Sequence, residues 1–144
     1  MKQRSRARGW ALQALYAWES RGRPESPAQM LQQLDAERHI AVSSLPYARA
    51  LLEAFTRNQV AVDRAVEESL SNWRLERLSV IDRNILRLGA TEIMFISDVP
   101  ARVSIQEAIS LAEKYSTNES PRFVNGVLDA LMRAHTGSES QEHA

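Results

Sequence analysis

Apolar residues recur along this chain at helical spacing, and nowhere do they alternate as a strand would require. Ala11, Ala14, Leu15 and Trp18 mark one face of a helix from Trp10 onward. Gly22 and Pro24 break that pattern; Ser26 then supplies an N-cap and Pro27 a first helical position, which predicts a short helix to about Arg38 with Met30, Leu31 and Leu34 on its apolar stripe. A longer helix starts near Pro46 and runs to about Leu70, with Leu51, Leu52, Phe55, Val62 and Val66 as buried positions and a bend near Asn58. Ser79, three residues before Asp82, caps a helix in which Ile81, Ile85 and Leu88 form one line and Leu86, Ala90 and Ile93 a second. So wide an apolar arc predicts the central helix of the fold. Past Pro100, Ser104 with Glu107 reads as a capping box ahead of Ile105, Ala108, Ile109, Ala112 and Tyr115. Ser120 and Pro121 open a last helix, with Val124, Val127, Leu128 and Leu131 as its stripe, ending before Gly137. The expectation is an all-α bundle with short antiparallel links: one helical domain over residues 1–136, with a basic arm at 1–9, and a disordered tail at 137–144, too polar to fold.

A chain of 144 residues buries roughly two-thirds of its unfolded surface and holds a core without staples. It has no cysteine, so thiol catalysis, thiolate zinc sites and iron–sulfur ligation are excluded. No apolar run approaches the ~18 residues of a membrane span, and no membrane association is expected. Net charge is zero but unevenly spread: Lys2, Arg4, Arg6, Arg8, Arg21 and Arg23 near the start face Glu19 alone. Cations at the start of a helix are disfavoured by a few tenths of a kcal/mol each, because that end carries partial positive charge. A polyanion would compensate. A flexible Arg-rich segment that orders on a phosphate backbone is one mode of RNA binding, and Arg adds bidentate phosphate contacts and stacking on unpaired bases. A solvated tail or a cleaved organellar presequence also fits an arginine-rich, acid-poor start. All of the 18 cations except Lys2 and Lys114 are arginine, which compositional bias produces as readily as function.

Catalytic tools are missing from the pattern. The five glycines form neither a P-loop nor a dinucleotide fingerprint. His39, His135 and His143 stand apart from one another and from any metal-binding spacing, so neither metal nor cofactor is expected. Glu67 and Glu68 are adjacent, about 100° apart on a helix, which is poor geometry for shared acid–base work. Binding chemistry is better represented. Arg122, Phe123 and Asn125 put a cation, an aromatic and an amide in the first turns of one helix, a trio able to hold a phosphate, stack a base and read its edge. On pattern alone Phe123 also fits the margin of the core, and Asn125 a loop carbonyl. Gly126, mid-helix, costs about 1 kcal/mol relative to Ala and implies close approach of another element. Glu92 falls on the apolar line of the central helix, as a partly buried acid paired with an arginine or as a partner contact.

The strings "ALQALYAWE", "NWRLERLSVIDRNILRLGATEI" and "DVPARVSIQEAISLAEKYSTNESPRFVNGVLDAL" resemble the NusB family of bacterial transcription antitermination factors over nearly the whole chain. The resemblance implies an all-helical fold of two packed helical subdomains in a cytoplasmic, non-catalytic protein. It further implies binding to single-stranded boxA RNA in ribosomal RNA operon leaders, jointly with the ribosomal protein NusE, in a complex with RNA polymerase and other Nus factors. Carried onto this sequence, Lys2, Arg4, Arg6 and Arg8 resemble the family's arginine-rich RNA-binding segment, followed by Gln13 and Tyr16. Lys114, Arg122, Phe123 and Asn125 resemble its second RNA-facing patch, and Glu76, Asp82 and Arg83 its NusE-facing surface. Ser5 stands where a further arginine often occurs, "GATEI" departs from a bulkier family pattern, and Gln106 replaces a common Asn. Two alternatives stay open. One is a stand-alone relative of the RNA-binding domain of a ribosomal RNA cytosine methyltransferase. The other is a homo-oligomeric scaffold, a homodimer in its simplest form, anchored by Trp10, Trp18 or Trp73.

Overall fold

Prolines and short polar side chains decide where most of the helices begin. The computed structural model describes residues 2–23 and 25–143, with side chains for residues 3–23 and 25–136. Among these there are seven α-helices, one 3₁₀ turn and no strand, the all-α class that the apolar spacing predicts. They divide into two units, Met1–Gln59 and Val60–Ala144.

The first unit holds α1 (Lys2–Ser20), α2 (Pro27–Arg38) and α3 (Leu45–Arg57). The expected start of α1 at Trp10 is too late. Gln, Arg and Ala in the first turns are good helix formers, and Ala7 extends the buried stripe of Ala11, Ala14, Leu15 and Trp18 by one turn. Alanines on that stripe let α1 approach α2 and α3 closely, and Trp18 meets Phe55 edge-on, with ring centroids 6.0 Å apart. Ser26 caps α2 as expected. Its hydroxyl accepts from the Gln29 N–H at 3.3 Å while the Gln29 side chain accepts from the Ser26 N–H at 2.9 Å, a full capping box. At the other end His39 takes a left-handed conformation, φ 55°, and the Asp35 carboxylate accepts from the Ile40 N–H at 3.0 Å. The single helix expected from Pro46 to Leu70 is two helices. Asn58, at φ −125°, leaves helical geometry and its side-chain amide donates to the Ala54 carbonyl at 2.8 Å, ending α3 instead of bending it.

The second unit holds nearly all of α4 (Gln59–Ser69), a 3₁₀ turn at Leu75–Arg77, α5 (Val80–Phe95), α6 (Ala101–Tyr115) and α7 (Ser120–His143). α5 is its centre: every residue from Asn84 to Glu92 is buried, and the helix packs on both α6 and α7. Burying that arc encloses polar groups as well. The Arg87 guanidinium holds the Asp63 carboxylate through two bonds, at 2.9 and 3.2 Å, and donates to the Asn84 side chain at 3.1 Å. Glu92, expected to be partly buried, is 2% exposed. The capping box expected at Ser104 is absent, because α6 starts earlier: Pro100 is its N-cap, and its carbonyl already accepts from the N–H groups of Val103 and Ser104. The Ser104 hydroxyl is consequently buried without a hydrogen-bond partner.

The close approach inferred at Gly126 occurs at Gly89 instead. A Cβ built at Gly126 meets nothing within 4 Å, whereas one at Gly89 would lie 2.6 Å from a Leu128 methyl. No described helix is long and apolar enough to cross a membrane. The tail expected at 137–144 lies outside the residues described with side chains.

Candidate nucleic-acid interface

Because α1 begins at Lys2, the basic arm is its first turns, and the helical period distributes the alternating cations round it. Arg4 and Arg8, one turn apart, share a face, and both turn to the Tyr47 ring on α3. Their guanidinium carbons lie 4.4 and 5.4 Å from its centroid. Arg4 is exposed, while Arg8 is 5% exposed and buried behind it. Arg6 is exposed on the opposite side, in line with Gln13 seven residues on. Gln13 is half-buried and accepts from Arg38 of α2 at 3.2 Å, and Tyr16 is 45% exposed. The Lys2 side chain lies outside the described residues. Among its described side chains the arm is therefore two exposed cations on opposite faces, Arg4 and Arg6, plus one arginine, Arg8, enclosed in the fold. Tyr47 joins the site only through tertiary packing, and nothing in its local sequence announces that.

In the second unit, Asp82 organises the start of α5. Its N–H donates to the Ser79 hydroxyl at 3.1 Å, and its two carboxylate oxygens accept from Ser116 at 2.6 Å and Ser120 at 3.0 Å. Each serine has one proton, so the Thr117 hydroxyl, 2.9 Å from Ser120, supplies its own to the Ser120 oxygen. This knot ties the first turn of α5 to the α6–α7 link, and places an acid where the helix dipole favours it. Arg83 is likewise occupied: its Nη1 donates to the carbonyls of Leu75, Glu76 and Leu78, at 3.1, 3.2 and 2.9 Å, closing the 3₁₀ turn. Of the three residues expected to face a protein partner, Glu76 alone presents its side chain freely to solvent. Its ion pair with Arg74, at 3.7 Å with both side chains over 70% exposed, is worth little.

Beside the knot lies a cleft of about 340 Å³, lined by Trp73, Arg77, Thr117, Glu119 and Phe123 together with Asp82 and Ser120. Its size is at the small end of ligand pockets; its two aromatics offer faces to a flat guest, while Asp82 and Glu119 outnumber Arg77, so its own charges do not select an anion. Phe123 is half-buried at its wall, so it serves both core margin and cleft. Arg122 and Asn125 are exposed one turn apart on α7, and Lys114 is exposed in the last turn of α6. Trp73, considered above only as an oligomer anchor, is 58% exposed and belongs to this cleft. Trp18, 6% exposed, is unavailable as an anchor.

A family model described as NusB family matches residues 5–133. The chain is 41% identical over 129 residues to the transcription antitermination protein NusB of Desulfotalea psychrophila, covering 87% of this chain and 92% of that protein. Among solved structures it is similar to T. maritima NusB, with a TM-score of 0.85 at 37% identity over 96% of each chain. It is also similar to a crystal structure of the antitermination factors NusB and NusE in complex with dsRNA, with a TM-score of 0.83 at 32% identity, covering 93% of this chain and 98% of that one.

Proposed function

The chain belongs to the NusB family, and on that premise we propose that it is a transcription antitermination factor. It binds boxA-type leader RNA of ribosomal RNA operons together with NusE, and links that RNA to RNA polymerase and other Nus factors in the cytoplasm. It is an adaptor and performs no catalysis. The observation that carries this reading is the likeness, across nearly the whole chain, to a NusB seen with NusE and RNA.

In this reading the phosphate contacts come from Lys2, Arg4 and Arg6 in the first unit and from Lys114 and Arg122 in the second. Gln13 and Tyr16 extend the first cluster. Phe123 stacks a base at the cleft wall, and Asn125 reads a base edge. Arg8 supports the first cluster from inside the fold. Glu76 meets NusE, and Asp82 and Arg83 give that surface its shape rather than touching the partner. A fluorescence titration with a boxA-like RNA and a scrambled control, each with and without NusE, tests the proposal. Tighter binding of the boxA-like RNA, strengthened by NusE, is expected. Equal affinity for both RNAs in the presence of NusE would overturn it.

A further inference from the structure

We propose that Arg38, in the last turn of α2, is a further contact for the RNA backbone, held by Gln13 beside the line of α1 that Arg6 begins. The inference rests on the reading of that arm as an RNA contact. Arg6 and Gln13 are two helical turns apart on one face, about 10 Å along the axis. From Arg6 onward that face is formed by Gly9, Trp10, Gln13, Tyr16, Ala17 and Ser20, so α1 itself offers a polyanion no second cation there. α2 supplies one. It runs back along α1, with Arg21 donating to Gln33 at 3.0 Å and Arg38 Nη1 donating to Gln13 Oε1 at 3.2 Å, which brings an exposed guanidinium from the far end of α2 to the middle of α1. Its charge is not neutralised there. Gln13 is an uncharged acceptor, and among the described residues Arg38 makes no ion pair, in contrast to Arg23 with Glu19, Arg87 with Asp63 and Arg133 with Asp129. The Asp35 carboxylate, one turn back on α2, accepts from the Ile40 N–H at 3.0 Å instead, and Glu37 leaves the helix about 100° round from Arg38. A guanidinium can only donate, so the oxygen of the Gln13 amide is the atom turned to Arg38, and its NH2 group remains a donor. Arg6, Gln13 and Arg38 thus form a track of donors, two of them cationic, that suits successive phosphates.

The test is a titration of the full chain with a boxA-like RNA at several salt concentrations, with a thermal melt of each variant. Arg38→Gln removes the charge and is expected to flatten the slope of log affinity against log salt by about 0.7, and to weaken binding about fivefold at about 0.1 M salt, the share of one phosphate on a single strand. Arg38→Lys, which keeps the charge, keeps the slope. Arg57→Gln removes the same charge from the last turn of α3, also exposed, and leaves the slope unmoved. Gln13→Ala weakens binding less in an Arg38→Gln background than in the unmodified protein; an equal loss in both overturns the hold assigned to Gln13. If Arg6→Ala flattens the slope and Arg38→Gln does not, whatever its melt, Arg38 is only a tie between α1 and α2: the proposal is overturned and the RNA reading stands. Equal flattening by Arg57→Gln overturns it as a general effect of net charge, and equal flattening by Arg38→Lys overturns it because the charge is then not what counts. If neither Arg6→Ala nor Arg38→Gln moves the slope, the assignment of the arm to RNA fails, and this proposal fails with it.

Discussion

Arg4 and Asp82 are opposite charges in the first turns of two helices, and the chain treats them in opposite ways. Asp82 sits with the dipole of α5, and both its oxygens are taken by serines of the same unit. Arg4 sits against the dipole of α1, is exposed, and leans on an aromatic face. The contrast separates a charge enclosed in a hydrogen-bonded knot from a charge presented at the surface. Both were candidate binding residues on sequence grounds, and only the tertiary partners tell them apart.

Variants on the two sides should divide the same way, stability on one and binding on the other. The largest effect is expected where charge is most enclosed. Arg87→Ala strands Asp63 and should cost about 3 kcal/mol in urea unfolding, discounted for the partial exposure of Asp63. Asp82→Ala removes two charge-assisted hydrogen bonds and should cost about 2 kcal/mol in the same measurement; an unfolding curve superimposable on that of the unmodified protein would erase the distinction drawn here. Phe123→Ala should cost about 1–3 kcal/mol of RNA affinity through lost stacking, in a binding titration. Gly126→Ala should add up to about 1 kcal/mol of stability, since the methyl enters open space on a helix. Arg6→Ala should leave the melting midpoint unchanged and flatten the slope of log affinity against log salt by about 0.7, the share of one phosphate on a single strand. A lowered midpoint would assign Arg6 to architecture after all.

Much of the fold was legible because burial follows periodicity. Leu51, Leu52, Phe55, Val62 and Val66 are all buried, as are Val124, Val127, Leu128 and Leu131. Caps were legible when the hydroxyl stood directly before the first apolar residue, at Ser26 and Ser79. At Ser104 the same signature misled, because Pro100 had already started the helix and a motif of four residues carries no knowledge of what precedes it. At Asn58 the apolar spacing continues across the break and predicts a bend; only the backbone geometry ends the helix. Of the candidate site, the residues that face solvent by helical period could be named in advance. What could not be named was their company: Tyr47 behind Arg4, Trp73 beside Phe123, and the serines that occupy Asp82, since all of these are brought together from distant stretches.

Gly89 has an implication for how this chain can vary. With no room for a side chain there unless the Leu128 methyls move aside, the two positions, one on α5 and one on α7, are coupled. A bulkier residue at 89 becomes tolerable when 128 shrinks, and a library randomised at both sites should recover survivors as compensated pairs, seldom as single changes.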